Sequence, residues 1–298
     1  WWFTTQQNRI CHYLPKTNYF QEWNVPSFTR NKGYDFISIT SEYEDEILLF
    51  KPFEFYIFNK KKHDFYQVEL PKPIREGGRG LVFHAKRLGD SVWVFSKSLM
   101  APVAYNYHLR RKKWADYPII YGNAVKLNKT RDVGVSASLV TKSGDFWLAI
   151  HSGGLAKYNP KIKGFEVIKT KQDIDFTKVG YTGFDEDKEG NIWIASYDLI
   201  KFNPKTYDFK SVLDLDFITS MIIDDHDNIC MSMADEVVIY NEKKGENSTY
   251  NYMNYDANNN WNIAFFKMQS NKILSLNRQS AIQINFSDNK TPSSNDQL

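Results

Sequence analysis

Two stretches of this chain follow one pattern, and that repetition narrows the possible folds more than any other feature. One runs Gly144-Asp145-Phe146-Trp147-Leu148-Ala149 and resumes as Gly154-Leu155-Ala156-Lys157-Tyr158-Asn159-Pro160-Lys161. The other runs Gly190-Asn191-Ile192-Trp193-Ile194-Ala195 and resumes as Leu199-Ile200-Lys201-Phe202-Asn203-Pro204-Lys205. Trp147 and Trp193 lie 46 positions apart. A period of this length marks repeated units that bury their faces against one another. The marker position recurs, in diverged form, at Trp2, Leu48, Trp93, Trp147, Trp193, Cys230 and Leu274, with steps of 37 to 54 residues.

A second ruler has the same period. An aromatic is followed by another seven residues later at Tyr13 and Phe20, Phe58 and Phe65, Tyr107 and Trp114, Tyr158 and Phe165, and Phe202 and Phe209. Turn residues such as Asn203-Pro204-Lys205 lie between them, so each pair flanks a hairpin. Within a unit the apolar segments are short and rich in aromatic and β-branched residues, and Gly, Asn, Asp and Pro separate them. In one unit, Thr182-Gly183-Phe184 ends the first strand and Asp185 to Asn191 is a polar turn. Ile192–Ser196, Leu199–Asn203 and Phe209–Leu213 are the strands that follow.

Four-stranded units of this length read as blades. The expected fold is an all-β, seven-bladed β-propeller of four-stranded antiparallel blades over residues 1–286, with a polar tail over 287–298. The first unit begins at its second strand and the last lacks its fourth, which suggests a segment of a longer chain. The opening Trp1-Trp2-Phe3, without a signal-peptide pattern, suggests the same.

Composition bounds the partners. Aromatics are 16% of the chain, which demands extensive packing. The net charge of +3 is too weak to point to nucleic acid. No apolar run is long enough to span a bilayer, so a membrane would be reached only through a longer parent chain. Cys11 and Cys230 follow no metal spacing and read as buried thiols. The six histidines are scattered without ligand spacing, and no metal or cofactor is expected.

The segment from Asp187-Lys188-Glu189-Gly190-Asn191-Ile192-Trp193-Ile194-Ala195-Ser196 through Leu199-Ile200-Lys201-Phe202-Asn203-Pro204-Lys205 resembles the two-component regulator propeller repeat. The unit around Trp147 matches it well, and the first unit matches in its second half, through Tyr13, Pro15 and Phe20. The other units keep the spacing and lose key Trp or Pro residues. The resemblance implies the periplasmic sensor region of a Bacteroidetes hybrid two-component receptor. It also implies a neighbouring propeller and an immunoglobulin-like domain as partners. A histidine kinase would lie elsewhere in the parent chain, and the ligand would be an oligosaccharide.

Several residues are candidates for chemistry. In a propeller, the turns after the second strands emerge on the face that usually carries ligands. Four residues beyond each marker stand Gln6, Pro52, Lys97, His151, Tyr197, Ala234 and Arg278. Of these, Lys97, His151, Tyr197 and Arg278 offer hydrogen bonds or, for Tyr197, a stacking ring for a sugar; the competing reading is an exposed turn. Asp185-Glu186-Asp187-Lys188-Glu189-Gly190 resembles the start of a calcium loop, but Ser196 stands where the bidentate acid belongs, which favours a turn. Asp224-Asp225-His226-Asp227 aligns with it and reads as structural. Lys60-Lys61-Lys62-His63 and Arg110-Arg111-Lys112-Lys113 are either solvated hairpins or an anion site. Gly134-Val135-Ser136-Ala137-Ser138 is not a nucleophile elbow, and no catalytic residue is expected. The alternatives to a sensor are a protein-interaction scaffold and, less favoured, a glycan-cleaving enzyme. A homodimer is compatible with either of the first two.

Overall fold

The computed structural model describes residues 2–4, 9–14, 16–26, 38–51, 54–72, 74, 82–96, 103–121, 134–151, 153–168, 181–215, 217–233, 236–251, 264–268, 272–276 and 281–285. Its strands form consecutive antiparallel meanders. The first is β1 (Trp2–Thr4), β2 (Arg9–Leu14) and β3 (Tyr19–Asn24). The second is β4 (Ser38–Tyr43), β5 (Glu46–Lys51), β6 (Glu54–Asn59) and β7 (Asp64–Val68). The third is β8 (Val82–Leu88), β9 (Ser91–Ser96), β10 (Val103–His108) and β11 (Lys113–Ile120). The fourth is β12 (Gly134–Val140), β13 (Phe146–His151), β14 (Gly154–Asn159) and β15 (Gly164–Val167). The fifth is β16 (Gly183–Glu186), β17 (Ile192–Ala195), β18 (Asp198–Asn203) and β19 (Asp208–Asp214). The sixth is β20 (Ser220–Ile223), β21 (Asn228–Ser232), β22 (Glu236–Asn241) and β23 (Glu246–Asn251). The last is β24 (Ala264–Met268), β25 (Lys272–Leu276) and β26 (Ala281–Asn285).

The aromatic ruler follows from the hairpin geometry. Each third-to-fourth-strand loop has four residues, so partners directly across the ladder next to it are seven apart. Tyr13 faces Phe20, Phe58 faces Phe65, Tyr107 faces Trp114 and Phe202 faces Phe209. Their ring centroids are 4.7, 4.9, 4.9 and 4.4 Å apart. Facing aromatics stabilise a sheet by several tenths of a kcal/mol to about 1 kcal/mol per pair. The last loop residue is left-handed in six meanders: Asn18, His63, Lys112, Lys163, Tyr207 and Gly245 all have positive φ. In four of these loops the first flanking Asn also braces the turn. Asn59, Asn159, Asn203 and Asn241 accept loop N–H bonds at 2.9–3.1 Å through Oδ1. This is the asparagine turn chemistry that the sequence offers at Asn-Pro-Lys.

Contacts divide the chain into two compact units. One holds residues 1–120, 128–135 and 159–166, and the other 121–127, 136–158 and 167–298. Within the first unit, β5 is buried on both faces. Ile47 and Leu49 pack with Ile10 of β2, whereas Leu48 and Phe50 pack with Val92 and Val94 of β9. In the second unit, β17 repeats the arrangement. Ile192 and Ile194 pack with Trp147 and Ala149 of β13, whereas Trp193 and Ala195 pack with Ile229 and Met231 of β21. Successive sheets therefore stack face to face, and period-two alternation sends apolar side chains both ways. Trp147 and Trp193 are essentially solvent-free and Trp93 is buried. Burying each contributes roughly 1.5–3 kcal/mol or more. The fourth strands β3 and β11, by contrast, are largely exposed.

Three details depart from the sequence expectation. β16 continues through Asp185 and Glu186, because these residues pair in register with Trp193 and Ile192. β17 ends at Ala195, one residue before Ser196, where the chain turns. A two-residue parallel bridge, Ile119 to Phe165 and Ile120 to Glu166, also ties the fourth strands of the third and fourth meanders into one sheet order, β12-β13-β14-β15-β11-β10-β9-β8. Gly164 permits that approach: a Cβ there would lie 2.7 Å from the Pro118 carbonyl oxygen. The polar tail, 287–298, lies outside the described residues.

Candidate functional site

Tyr197 sits in the turn between β17 and β18 and is 56% exposed, unusual for so large an aromatic. Its backbone is fixed by the ladder ends around it. Ser196 N–H donates to the Asp198 carbonyl at 3.1 Å. The Tyr197 and Ser196 carbonyls accept from Leu215 N–H at 3.2 Å and Ile218 N–H at 2.9 Å. These bonds lay the connection between β19 and β20 beside the turn. Thr182 closes the arrangement by donating its hydroxyl to the Ile218 carbonyl. The connection brings the Phe217 ring to 5.3 Å from that of Tyr197, tilted by 52°.

Asp198, the residue that follows Tyr197, is paired with Asp214 across β18 and β19. Burial, and then the neighbouring Asp214 carboxylate, raises the pKa of Asp198 above the ordinary carboxylate value. Carboxylates at this turn can accept hydrogen bonds from a ligand rich in hydroxyl groups. Ser196 adds a hydroxyl that is almost wholly buried and has no hydrogen-bond partner among the described residues. The result is a stacking platform with a polar rim.

Of the four residues singled out in sequence, Tyr197 lies in this cluster. His151 ends β13 and is half-buried. Lys97 and Arg278 lie outside the described residues, as do Gln6, Pro52 and Ala234. Phe217, Asp198 and Asp214 were not singled out in sequence. The signal that could have found them is that the turn after the second strand and the link to the next unit leave a propeller blade at the same end.

The acidic loop is a structural device. Asp187 is buried and accepts Glu189 N–H at 3.0 Å, Asn191 N–H at 2.8 Å and the Trp193 indole N–H at 2.9 Å. Its neighbours fasten adjacent sheets. Asp185 accepts Ile223 N–H at 2.9 Å, and Glu186 accepts Lys142 N–H at 2.6 Å. The oxygens a calcium ion would need are therefore committed to protein donors. Asp224 repeats the cap with His226 N–H at 2.7 Å and Asn228 N–H at 2.8 Å. Cys11 and Cys230 are both buried free thiols.

No protein-family model matches the sequence, and no curated protein is similar to it. Solved structures do match. The extracellular domain of a B. thetaiotaomicron protein, assigned in one structure to a one-component system, aligns with a TM-score of 0.64 at 16% identity, covering 95% of this chain and 37% of that one. The extracellular domain of a second B. thetaiotaomicron protein, assigned to a hybrid two-component system, aligns with a TM-score of 0.61 at 16% identity, covering 92% and 36%. YCF48 in complex with a D1 peptide aligns with a TM-score of 0.63 at 10% identity, covering 96% and 89%. This chain thus spans little over a third of the B. thetaiotaomicron domains. At these identities the likeness is one of fold: all-β and propeller-like, built of stacked antiparallel sheets.

Proposed function

We propose that the chain is the extracytoplasmic, ligand-sensing part of a two-component receptor and that it recognises an oligosaccharide. In this reading the meanders are the blades of a seven-bladed propeller. The segment itself is not an enzyme. It would sit in the periplasm beside a further propeller and an immunoglobulin-like domain, and the histidine kinase would lie elsewhere in the parent chain.

The observation that carries the reading is the exposed Tyr197 ring, paired with Phe217 and bordered by the Asp198–Asp214 pair. Aromatic faces stack on the C–H faces of sugars while carboxylates take up hydroxyl groups. The fold shared with two extracellular domains of B. thetaiotaomicron supports the same class. Binding would favour one arrangement of rigid modules over another, which is how a sensor biases a distant kinase.

The test is a thermal-shift screen of the 298-residue chain against an oligosaccharide library, run alongside Tyr197→Ala. A ligand that binds only the folded state raises the melting temperature by mass action. The reading expects a shift with one sugar class that Tyr197→Ala abolishes. No shift at millimolar concentrations would favour the second reading, a scaffold for protein partners. The likeness to YCF48, solved with a peptide, and the exposed Tyr19 and Phe20 on β3 favour that reading.

A further inference from the structure

The two basic hairpins noted in the sequence are not alike in their charges. In the second meander, Lys60 pairs with Glu42 at 2.9 Å and Lys61 pairs with Asp45. Lys62, the next residue, has no ion pair among the described residues. In the third meander, Arg110 pairs with Asp90 at 2.9 Å, while Lys112 has no carboxylate partner among the described residues. Instead its ammonium lies over the Tyr66 ring, 5.3 Å from the centroid. Lys62 and Lys112 thus each carry an ammonium without an ion pair among the described residues, one on each turn.

Both line the same cavity. A space of about 280 Å³ opens between the turn after β6 and the turn after β10. Its wall carries Lys62, Lys112, Asn59, Asp64, Tyr66 and Tyr107, above an apolar floor of Ile57 and Leu109. Glu46 also reaches it, but its carboxylate is met at 3.1 Å by Arg87, whose side chain is only 7% exposed. Burial, and then the adjacent Tyr66, pushes the Tyr107 phenol up to about 12, so it stays protonated as a donor. The cavity is smaller than sites for drug-sized ligands, which argues for about one ring.

We propose that this cavity is a second binding site, for an acidic sugar unit: a uronate or sulfated residue of a saccharide. The acid group lies between the ammoniums of Lys62 and Lys112, and its arrival draws Lys112 off the Tyr66 face. The Asn59 amide NH2 group donates to the ring hydroxyls and the Asp64 carboxylate accepts from them. With Glu46 held by Arg87, two ammonium groups face the single Asp64 carboxylate, which leaves positive charge for an acid group, and a simple anion would leave Asn59 and Asp64 unused. The site is on a different unit from Tyr197 and stands or falls independently of the sensor reading.

The experiment is calorimetric titration of the full chain with unsaturated digalacturonate, a chondroitin sulfate disaccharide, neutral cellobiose and sodium sulfate. One acidic disaccharide is expected to bind. Lys112→Gln and Lys62→Gln each weaken it by about tenfold or more, the effect of losing one charge-assisted hydrogen bond. Lys61→Gln, in the same turn but already paired with Asp45, leaves it unchanged, as does Tyr197→Ala. All four side chains are exposed, and circular dichroism verifies the fold of each variant. The proposal is overturned if neither acidic disaccharide binds at millimolar concentration or if Lys61→Gln matches Lys112→Gln. Sulfate binding as well as the disaccharides, or loss of binding in Tyr197→Ala alone, would equally overturn it.

Discussion

Replacing Asp187 by Ala tests the internal logic of the repeat, because that carboxylate is the hub of its turn. Four donors lose their acceptor: the Glu189 and Asn191 amides, the Asn191 side chain and the Trp193 indole. The first three border solvent, so water replaces the carboxylate there and each loss costs about 0.5–1 kcal/mol. The indole belongs to a residue only 1% exposed, and no water reaches it. Leaving that N–H unpaired costs about 1–3 kcal/mol. The expected loss is about 2.5–6 kcal/mol. Asp224 is the internal control. It makes the same turn bonds to His226 and Asn228, but Cys230 stands where Trp193 does, so no indole depends on it. Asp224→Ala should therefore cost about 1–3 kcal/mol less. Urea unfolding followed by tryptophan fluorescence and circular dichroism measures both variants. A double-mutant cycle with Trp193→Phe should return a coupling of about 1–2 kcal/mol. Equal losses in the two Ala variants, or zero coupling with Trp193→Phe, would refute the account.

Three other perturbations follow from packing, backbone and charge. Gly183→Ala places a Cβ 2.5 Å from that of Met221, between β16 and β20, and should destabilise by about 1–3 kcal/mol in the same urea assay. Lys163→Gly relieves a left-handed residue at φ 48° and should raise stability by up to about 1 kcal/mol, readable as a higher melting temperature. His84 is held at about 4 from an ordinary 6.5, first by burial and then by Lys86. Its folded-state value is depressed, so its contribution is intact above pH 6.5 and is lost as the pH falls towards 4. The loss approaches about 3 kcal/mol, and His84→Phe should flatten a stability–pH profile over that window.

Much of the fold was legible because its devices are periodic. The seven-residue aromatic spacing marks the four-residue hairpins, since Phe202 and Phe209 can face each other only across a loop of that length. The Trp147 and Trp193 markers read correctly because a strand sandwiched between two sheets is apolar on both faces. What escaped the sequence depends on contacts between units of the repeat. Asp185 and Glu186 looked like turn residues, yet they extend β16 and bond to Ile223 and Lys142 of flanking sheets. The parallel bridge at Ile119 and Phe165 was not legible either, because it rests on the missing side chain of Gly164 against Pro118. Tyr197 was found by counting from its marker. Its neighbours Phe217 and Asp214 were not, because proximity across a linker leaves no period.

The left-handed residue that closes each outer hairpin has a practical corollary. Asn, His, Lys, Tyr and Gly all occupy it, so the tips place few demands on side-chain identity. Among these tips, the one around Lys205 stands a full strand away from Tyr197, roughly 20 Å at the rise of β18. A fluorophore or an affinity handle grafted there would ride on rigid sheet while leaving the aromatic platform untouched. That makes this tip a natural attachment point for watching the domain engage whatever it recognises.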